Sequence, residues 1–488
     1  VIRFFCLALL LLSHAAMAFP PRGGATSGGG TLPTPVIIQQ VSTTVNPAGA
    51  GFNGNNYARQ LPNAIQANDL LYVSASYPHG TFSSITDTAG SSFGSPICTA
   101  DAGTGNYTTA VWLVPGMAAG FDTITVNLTT LTRPFQLTLV EFNNVATVSP
   151  INGTASCVAN SAINAGTSVV NPGSITPSNN NAAGGTLIYS YLAMASGTGA
   201  GNPTSYTAAS GYTQVDQDTA WTSNTSFYHA TQMLLQRTAA ATTPSMTIAG
   251  NTSDHFNVIT VPLKVASAGG SLPSGIYVRK LLDLTAPPIA SSNFNWVLQA
   301  QFTGNLRIMD GSFLQGFGWA FQTPGVTDSD GNTWTAADTN KFIWYCFCAA
   351  STGNTFVTVH YSGAGPPNTT VRMFDVLNAT AFDVGAALAP TGSCSSVTSF
   401  ANAPNITPTH APGLVIGHFA PSSYTTGVTS PAATYALVNY TGDADADFMN
   451  NGDGLGIIYN STTAAENWTW TLISFAGSTC FAAAAAFH

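Results

Sequence analysis

The densest run of candidate metal ligands in the chain is Thr441-Gly-Asp-Ala-Asp-Ala-Asp-Phe-Met-Asn-Asn-Gly-Asp-Gly454. Asp443, Asp445 and Asp447 alternate, and Asp453 follows Asn450 and Asn451. Hard oxygen donors at every second position, closed by a glycine-rich turn, suit Ca²⁺, which takes roughly six to eight oxygens. No glutamate closes the loop in the EF-hand manner, so the expectation is a structural Ca²⁺, not a catalytic one. The plain alternative is a solvated acidic hairpin end whose repulsion calls for a counter-ion. Asp328-Ser-Asp-Gly-Asn332 begins similarly, but its counterpart at Asp87 and Gly90 lacks the second acid. That favours a hairpin turn with Gly331 at positive φ.

Other chemistry is sparse. Glutamate occurs only as Glu141 and Glu466, and a glycosidase needs two carboxylates flanking one bond. Glu141 and Asp375 hold equivalent places in different halves, so they form no dyad and are expected to satisfy groups at strand ends. The eight histidines show no H-E-x-x-H spacing, and no nucleophile elbow, phosphate loop or dinucleotide fingerprint is present. Aromatic rings can act as platforms for sugars. Trp112 and Trp344 occupy matched strand centres and read as core, whereas Trp319, Trp221 and Trp468 are the candidates for ligand binding, with Trp470 beside them.

The segment Val1–Ala18 has one positive charge, an apolar run and the small-residue end Ala16-Met17-Ala18, which are the parts of a secretory signal. Export makes disulfides the expected state of the six remaining cysteines. Cys98 pairs with Cys157 by elimination within the first half. Cys346 and Cys348 lie two apart on one strand face and are expected to pair separately, one with Cys394 and the other with Cys480, in either order. A zinc site is the alternative, against which Cys-x-Cys lacks the usual knuckle spacing. After the signal no second hydrophobic span appears.

Only 6% of the residues are charged, 45% are hydrophobic and the net charge is −9. The apolar material suffices for sizeable cores, and the solvent face must be built from Ser, Thr, Asn, Gln and Gly. With eleven dispersed basic residues there is no stripe to neutralise phosphates, which excludes nucleic acid as a partner.

The elements that would position these residues are all strands. Segments such as Asp69–Ala75, Tyr107–Leu113, Phe342–Cys346 and Gly413–His418 are short, rich in β-branched and aromatic residues, and bounded by turn residues. No window carries an apolar stripe of helical period. The second half repeats the plan of the first. Asp87 and Asp328, Trp112 and Trp344, Glu141 and Asp375, and Cys157 and Cys394 all stand roughly 240 residues apart. The fold class expected is all-β, with two tandem antiparallel β-sandwich domains of jelly-roll-like topology. The boundaries are 1–18 signal peptide, 19–35 Gly/Pro leader, 36–265 first domain, 266–275 linker and 276–488 second domain.

The turn Thr327-Asp-Ser-Asp-Gly-Asn-Thr-Trp334, the strand Ile343-Trp-Tyr345 and the strand Gly353-Asn-Thr-Phe-Val-Thr-Val359 resemble the repeated jelly-roll units of secreted bacterial surface proteins. The resemblance implies a fold and a place outside the cell. The function expected is that of a secreted, non-catalytic structural or adhesion protein at the cell surface. Its partners would be itself, through strand exchange at Val36–Val45 or the last strand, or a cell-surface or matrix polysaccharide. A carbohydrate-binding protein stabilised by Ca²⁺ is the alternative, and a secreted polysaccharide-degrading enzyme a third.

Overall fold

The structure, a computed structural model, describes residues 34–45, 55–61, 63–103, 106–120, 122–130, 135–164, 168–178, 185–195, 205–219, 227–249, 254–266, 275–286, 293–299, 306–313, 320–348, 354–362, 369–388, 400–402, 405–421, 428–429, 440–441, 454–460, 462–466, 469–472 and 480–488. Among the described residues there is no helix, and the strands fall into four consecutive groups of eight.

The first unit comprises β1 (Val36–Val45), β2 (Asn56–Gln60), β3 (Leu70–Pro78), β4 (Phe82–Asp87), β5 (Cys98–Asp101), β6 (Tyr107–Pro115), β7 (Thr123–Leu128) and β8 (Phe135–Asn143). The second comprises β9 (Val158–Asn164), β10 (Ser168–Val170), β11 (Thr186–Ala195), β12 (Ser205–Thr207), β13 (Thr213–Thr219), β14 (Phe227–Gln236), β15 (Met246–Ala249) and β16 (Asp254–Lys264). The third comprises β17 (Tyr277–Ala286), β18 (Asn293–Gln299), β19 (Leu306–Phe313), β20 (Ala320–Asp328), β21 (Thr335–Ala336), β22 (Ile343–Phe347), β23 (Asn354–Ser362) and β24 (Thr369–Leu377). The fourth comprises β25 (Phe382–Leu388), β26 (Phe400–Asn402), β27 (Gly413–Pro421), β28 (Val428–Thr429), β29 (Tyr440–Thr441), β30 (Gly454–Asn460), β31 (Thr469–Leu472) and β32 (Cys480–Phe487).

In all four, the fifth, sixth, third, eighth and first strands hydrogen-bond in that order to make a large sheet. The second, seventh and fourth make a small sheet. Eight strands in two sheets is the jelly-roll count, but the fifth strand joins the sixth and the division is five against three. The all-β sandwich class thus holds. The repeat itself is half the size expected, because each half of the chain holds two sandwiches where one large one was anticipated. The offset of roughly 240 residues links the first unit to the third, one pair of units apart.

Burial shows why the intermediate repeat escapes notice. A strand with one wet face alternates, as β7 does, burying Ile124, Val126 and Leu128 and leaving Thr123, Thr125 and Asn127 half-buried. β3 and β8 are buried along their whole length. Leu71, Val73, Ala75 and Tyr77 of β3 enter the core of the first unit, and Leu70 and Tyr72 enter a second apolar layer. That layer lies between units. Its members Leu70, Tyr72, Val111, Val140 and Phe142 come from the large sheet of the first unit, and Leu187, Tyr189, Ile259, Val261 and Leu263 from that of the second. The two large sheets therefore pack face to face. Within the layer the rings of Tyr72, Phe142 and Tyr189 meet edge to face, Tyr72 and Tyr189 with centroids 4.9 Å apart. The third and fourth units pack likewise, with Leu306, Ile308 and Phe374 against Leu414, Ile416, Ala483 and Ala485.

The two halves are joined too. β17 pairs parallel with β1 at Gln40 and Arg279, and with β13 at Gln217–Thr219 and Leu282–Leu284. One apolar cluster runs from Val73 and Trp112 through Ile276 and Val278 to Met309 and Trp344. The expected boundary at 266–275 does fall between units, with 267–274 outside the described residues, but it does not separate two independent bodies. Both strands nominated for exchange are occupied within the chain. β1 pairs with β8 along its length, and β32 lies between β25 and β27.

Candidate functional site

The sequence candidates separate into three groups. Asp443, Asp445, Asp447 and Asp453, the rings Trp221, Trp319 and Trp468, Cys394 and the signal segment all lie outside the described residues, as does the side chain of Cys480. Trp112 and Trp344 are core, as expected. Trp112 is wholly buried against Phe82, and Trp344 donates from Nε1 to the carbonyl of Lys341 at 2.9 Å. The Trp344 ring lies over Gly325, where a Cβ would come within 2.3 Å of it.

The third group concerns turns and thiols. Gly331 has φ of 75° and closes the turn after β20. Asp328 Oδ1 accepts from the backbone N–H groups of Asp330 and Asn332, and its Oδ2 accepts from Asn332 Nδ2 and Trp334 Nε1 at 2.9 Å. Four donors meet this carboxylate, the arrangement that the hairpin-turn reading expects. Cys98 and Cys157 are bonded, with Cα atoms 6.1 Å apart. Because β5 belongs to the first unit and Cys157 directly precedes β9, this disulfide ties the first joint. Cys346 and Cys348 are bonded to each other, contrary to the expectation that each would find a distant partner. Side chains two apart do share a face, but β22 ends at Phe347. The Cα atoms there approach to 5.2 Å, within disulfide reach.

What the sequence did not reveal is where the ionisable groups collect: inside the joints. Between the first two units, Asp216 Oδ2 accepts from Gln40 Nε2 and Ser42 Oγ at 2.8 Å and contacts His229 Nε2 at 2.9 Å. Gln136 Nε2 lies 2.6 Å from His229 Nδ1, and Tyr191 donates to Gln136 Oε1 at 2.7 Å. Every member is buried. This chain of partners assigns His229 the Nε2–H tautomer, donating to Asp216. Between the last two units, Arg372 Nη1 donates to Asp310 Oδ2 at 3.2 Å, and His418 Nδ1 lies 2.6 Å from Asp310 Oδ1. His418 stacks on Phe342, and the trio is fully buried.

A third collection lies where the first unit meets the third. Glu141 and Asp69 hydrogen-bond to each other inside the fold. Gln66 N–H and Gln39 Nε2 donate to Glu141, and Asn143 Nδ2 donates to Asp69 at 2.8 Å. Burial pushes Glu141 up to about 8 and Asp69 up to about 6, despite those donors. Two carboxyls so placed share a proton at neutral pH. The same donors reach the third unit: Gln66 Nε2 bonds Tyr277 Oη, and Asn63, held by Gln39, donates to the carbonyl of Ile276 at 2.6 Å. Glu141 thus anchors a junction, more than the strand end anticipated. Its counterpart Asp375 is buried beside Arg307 on the neighbouring strand. A further acid pair, Asp87 and Asp122, braces the small sheet of the first unit, with Asp122 raised by burial and by Asp87.

Each of the three joint assemblies links two units through buried side chains. No protein-family model matches the chain, and no curated protein is significantly similar to it.

Proposed function

We propose that the chain is a secreted, non-catalytic structural or adhesion protein of the cell surface or extracellular matrix. The observation that carries this reading is that its buried acids and histidines, Asp216 with His229, Asp310 with Arg372 and His418, and Glu141 with Asp69, lie in joints between sandwiches. A chain that spends its scarce charge on welding four units acts as a rigid spacer or scaffold. The secretion-like segment Val1–Ala18 and the disulfide between units agree with an oxidising, exposed setting.

The test is to express the full sequence in an exporting host and fractionate it. The expected result is processed protein outside the cytoplasm, retained on the surface or in the matrix and released by denaturant. Protein that stays cytosolic and unprocessed overturns the proposal. Affinity electrophoresis in polysaccharide gels separates a glycan-bound adhesin, which is retarded, from a scaffold that is not. Release of reducing ends from the same polysaccharides would overturn the non-catalytic reading.

A further inference from the structure

In the fourth unit three side chains converge that nothing above employs. Asp383 stands near the start of β25, His410 in the turn leading into β27, and His488 directly after β32. Their ligand atoms lie within 4.8 Å of one another. We propose that Asp383, His410 and His488 form a binding site for a divalent transition-metal ion of the Zn²⁺ class.

The geometry has three parts. His410 Nδ1 and Asp383 Oδ1 are 3.4 Å apart, long for a hydrogen bond, for which about 2.7–3.2 Å is usual. Two ligands held at about 2.0–2.1 Å on a tetrahedral ion stand about 3.3 Å from each other, so the separation matches one edge of such a site. The rings of His410 and His488 are stacked, with centroids 3.9 Å apart and planes inclined by 16°. Each imidazole lone pair lies in the plane of its ring, so holding one ion between them requires the exposed His410 ring to turn out of this stack. His488 Nδ1 is buried and has no hydrogen-bond partner among the described residues, and its lone pair is one that a metal would take up.

The carboxylate is suited to the role. The His410 backbone N–H donates to Asp383 Oδ2 at 3.1 Å. Thr409 N–H donates to Oδ2 at 2.7 Å and the Thr409 hydroxyl to Oδ1. These are outer contacts of the kind that orient a ligating carboxylate. Two imidazoles and one carboxylate favour Zn²⁺ over Ca²⁺, which takes oxygens only. His488 is already fixed to the neighbouring strand, since Ala381 N–H donates to its carbonyl at 2.9 Å. An ion here would therefore pin β32, β25 and the approach to β27 at one point, as a structural clasp on the fourth unit.

The experiment uses the full chain stripped with chelator. Calorimetric titration with Zn²⁺ should show one stoichiometric site, and Co²⁺ in its place should give the visible d–d bands of a tetrahedral centre. His410 is exposed, so His410→Ala leaves the fold intact, as circular dichroism would confirm, and should abolish that site and the cobalt bands. Thr409→Val should weaken binding by roughly 10–100-fold while leaving it detectable. Absence of Zn²⁺ binding by the stripped protein, or binding that His410→Ala leaves unchanged, overturns the proposal.

Discussion

Replacing Asp69 by Asn should remove an alkaline weakness built into the junction of the first and third units. The wild-type pair keeps a shared proton because burial holds Glu141 at about 8 and Asp69 at about 6. In the unfolded chain both carboxyls titrate near their ordinary values, 4.5 and 3.8. Between those limits the native state binds more protons than the unfolded one, so stability falls as pH rises. This contribution is intact below about pH 4 and is lost progressively up to about pH 8. A lone carboxyl moved from 4.5 to about 8 would cost roughly 5 kcal/mol over that span, at about 1.36 kcal/mol per pH unit. Sharing the proton makes this an upper figure. In Asp69→Asn the amide oxygen still accepts from Asn143, and the amide N–H₂ replaces the shared proton as donor to Glu141. Glu141 then sits as a carboxylate with three donors, and its titration moves down. Urea midpoints at pH 5, 7 and 9 and constant ionic strength should converge for the two proteins at pH 5 and diverge at pH 9, with the variant the more stable by about 2–5 kcal/mol. A difference that is flat with pH, or a variant that weakens as pH rises, would refute the reasoning.

Other perturbations address the remaining parts. Arg372→Met leaves Asp310 and His418 buried without their cation and should cost about 3–5 kcal/mol in urea unfolding. Changing both Cys98 and Cys157 to Ser opens a link across 59 residues and should cost roughly 4 kcal/mol. Reductant should reproduce that loss in the parent and have a smaller effect in the double variant, where only the bond between adjacent Cys346 and Cys348 remains among the described pairs. Trp112→Ala empties the core of the first unit and should cost about 3–5 kcal/mol, seen as a fall in melting temperature.

The all-β class was legible because period-two runs, turn residues and missing helical stripes all agree along the chain. The Cys98–Cys157 bond was legible because elimination left no other choice in its half. The Asp328 turn was legible from comparison with Asp87, since a residue kept for its turn can lose a neighbouring acid. The fourfold repeat was not. Its third and eighth strands are buried on both faces, so Leu70–Pro78 and Phe135–Asn143 read as continuous apolar runs with no sign of which face meets a neighbouring unit. Nor was the pairing of Asp216 with Gln40, 176 residues away in the chain. Ser42, Gln40 and Gln136 look like the outward polar positions of ordinary strands, and only their enclosure by a second sheet turns them into a network. The one available hint was Asp216 in a chain so poor in charge.

The two joints share a geometry but not a chemistry, and the difference indicates what the repeat preserves. In the first, acid and histidine both come from the second unit, on its fifth and sixth strands, and the first unit answers with neutral Gln40, Ser42 and Gln136. In the second, Asp310 and Arg372 come from the third and eighth strands of the third unit, and only His418 crosses from the fourth. These are not equivalent positions, so the polar centres did not descend from one ancestral pair by simple copying. Packing volume compensates accordingly. Where the second unit presents Ile259, Val261 and Leu263, the fourth presents Ala483, Ala485 and Phe487 at the matching register. Ala483 stands opposite His418 across the strand pair, and its small side chain leaves room beside the ring. Face-to-face stacking of large sheets is the constant, and each joint has set a different group of donors and acceptors at its centre.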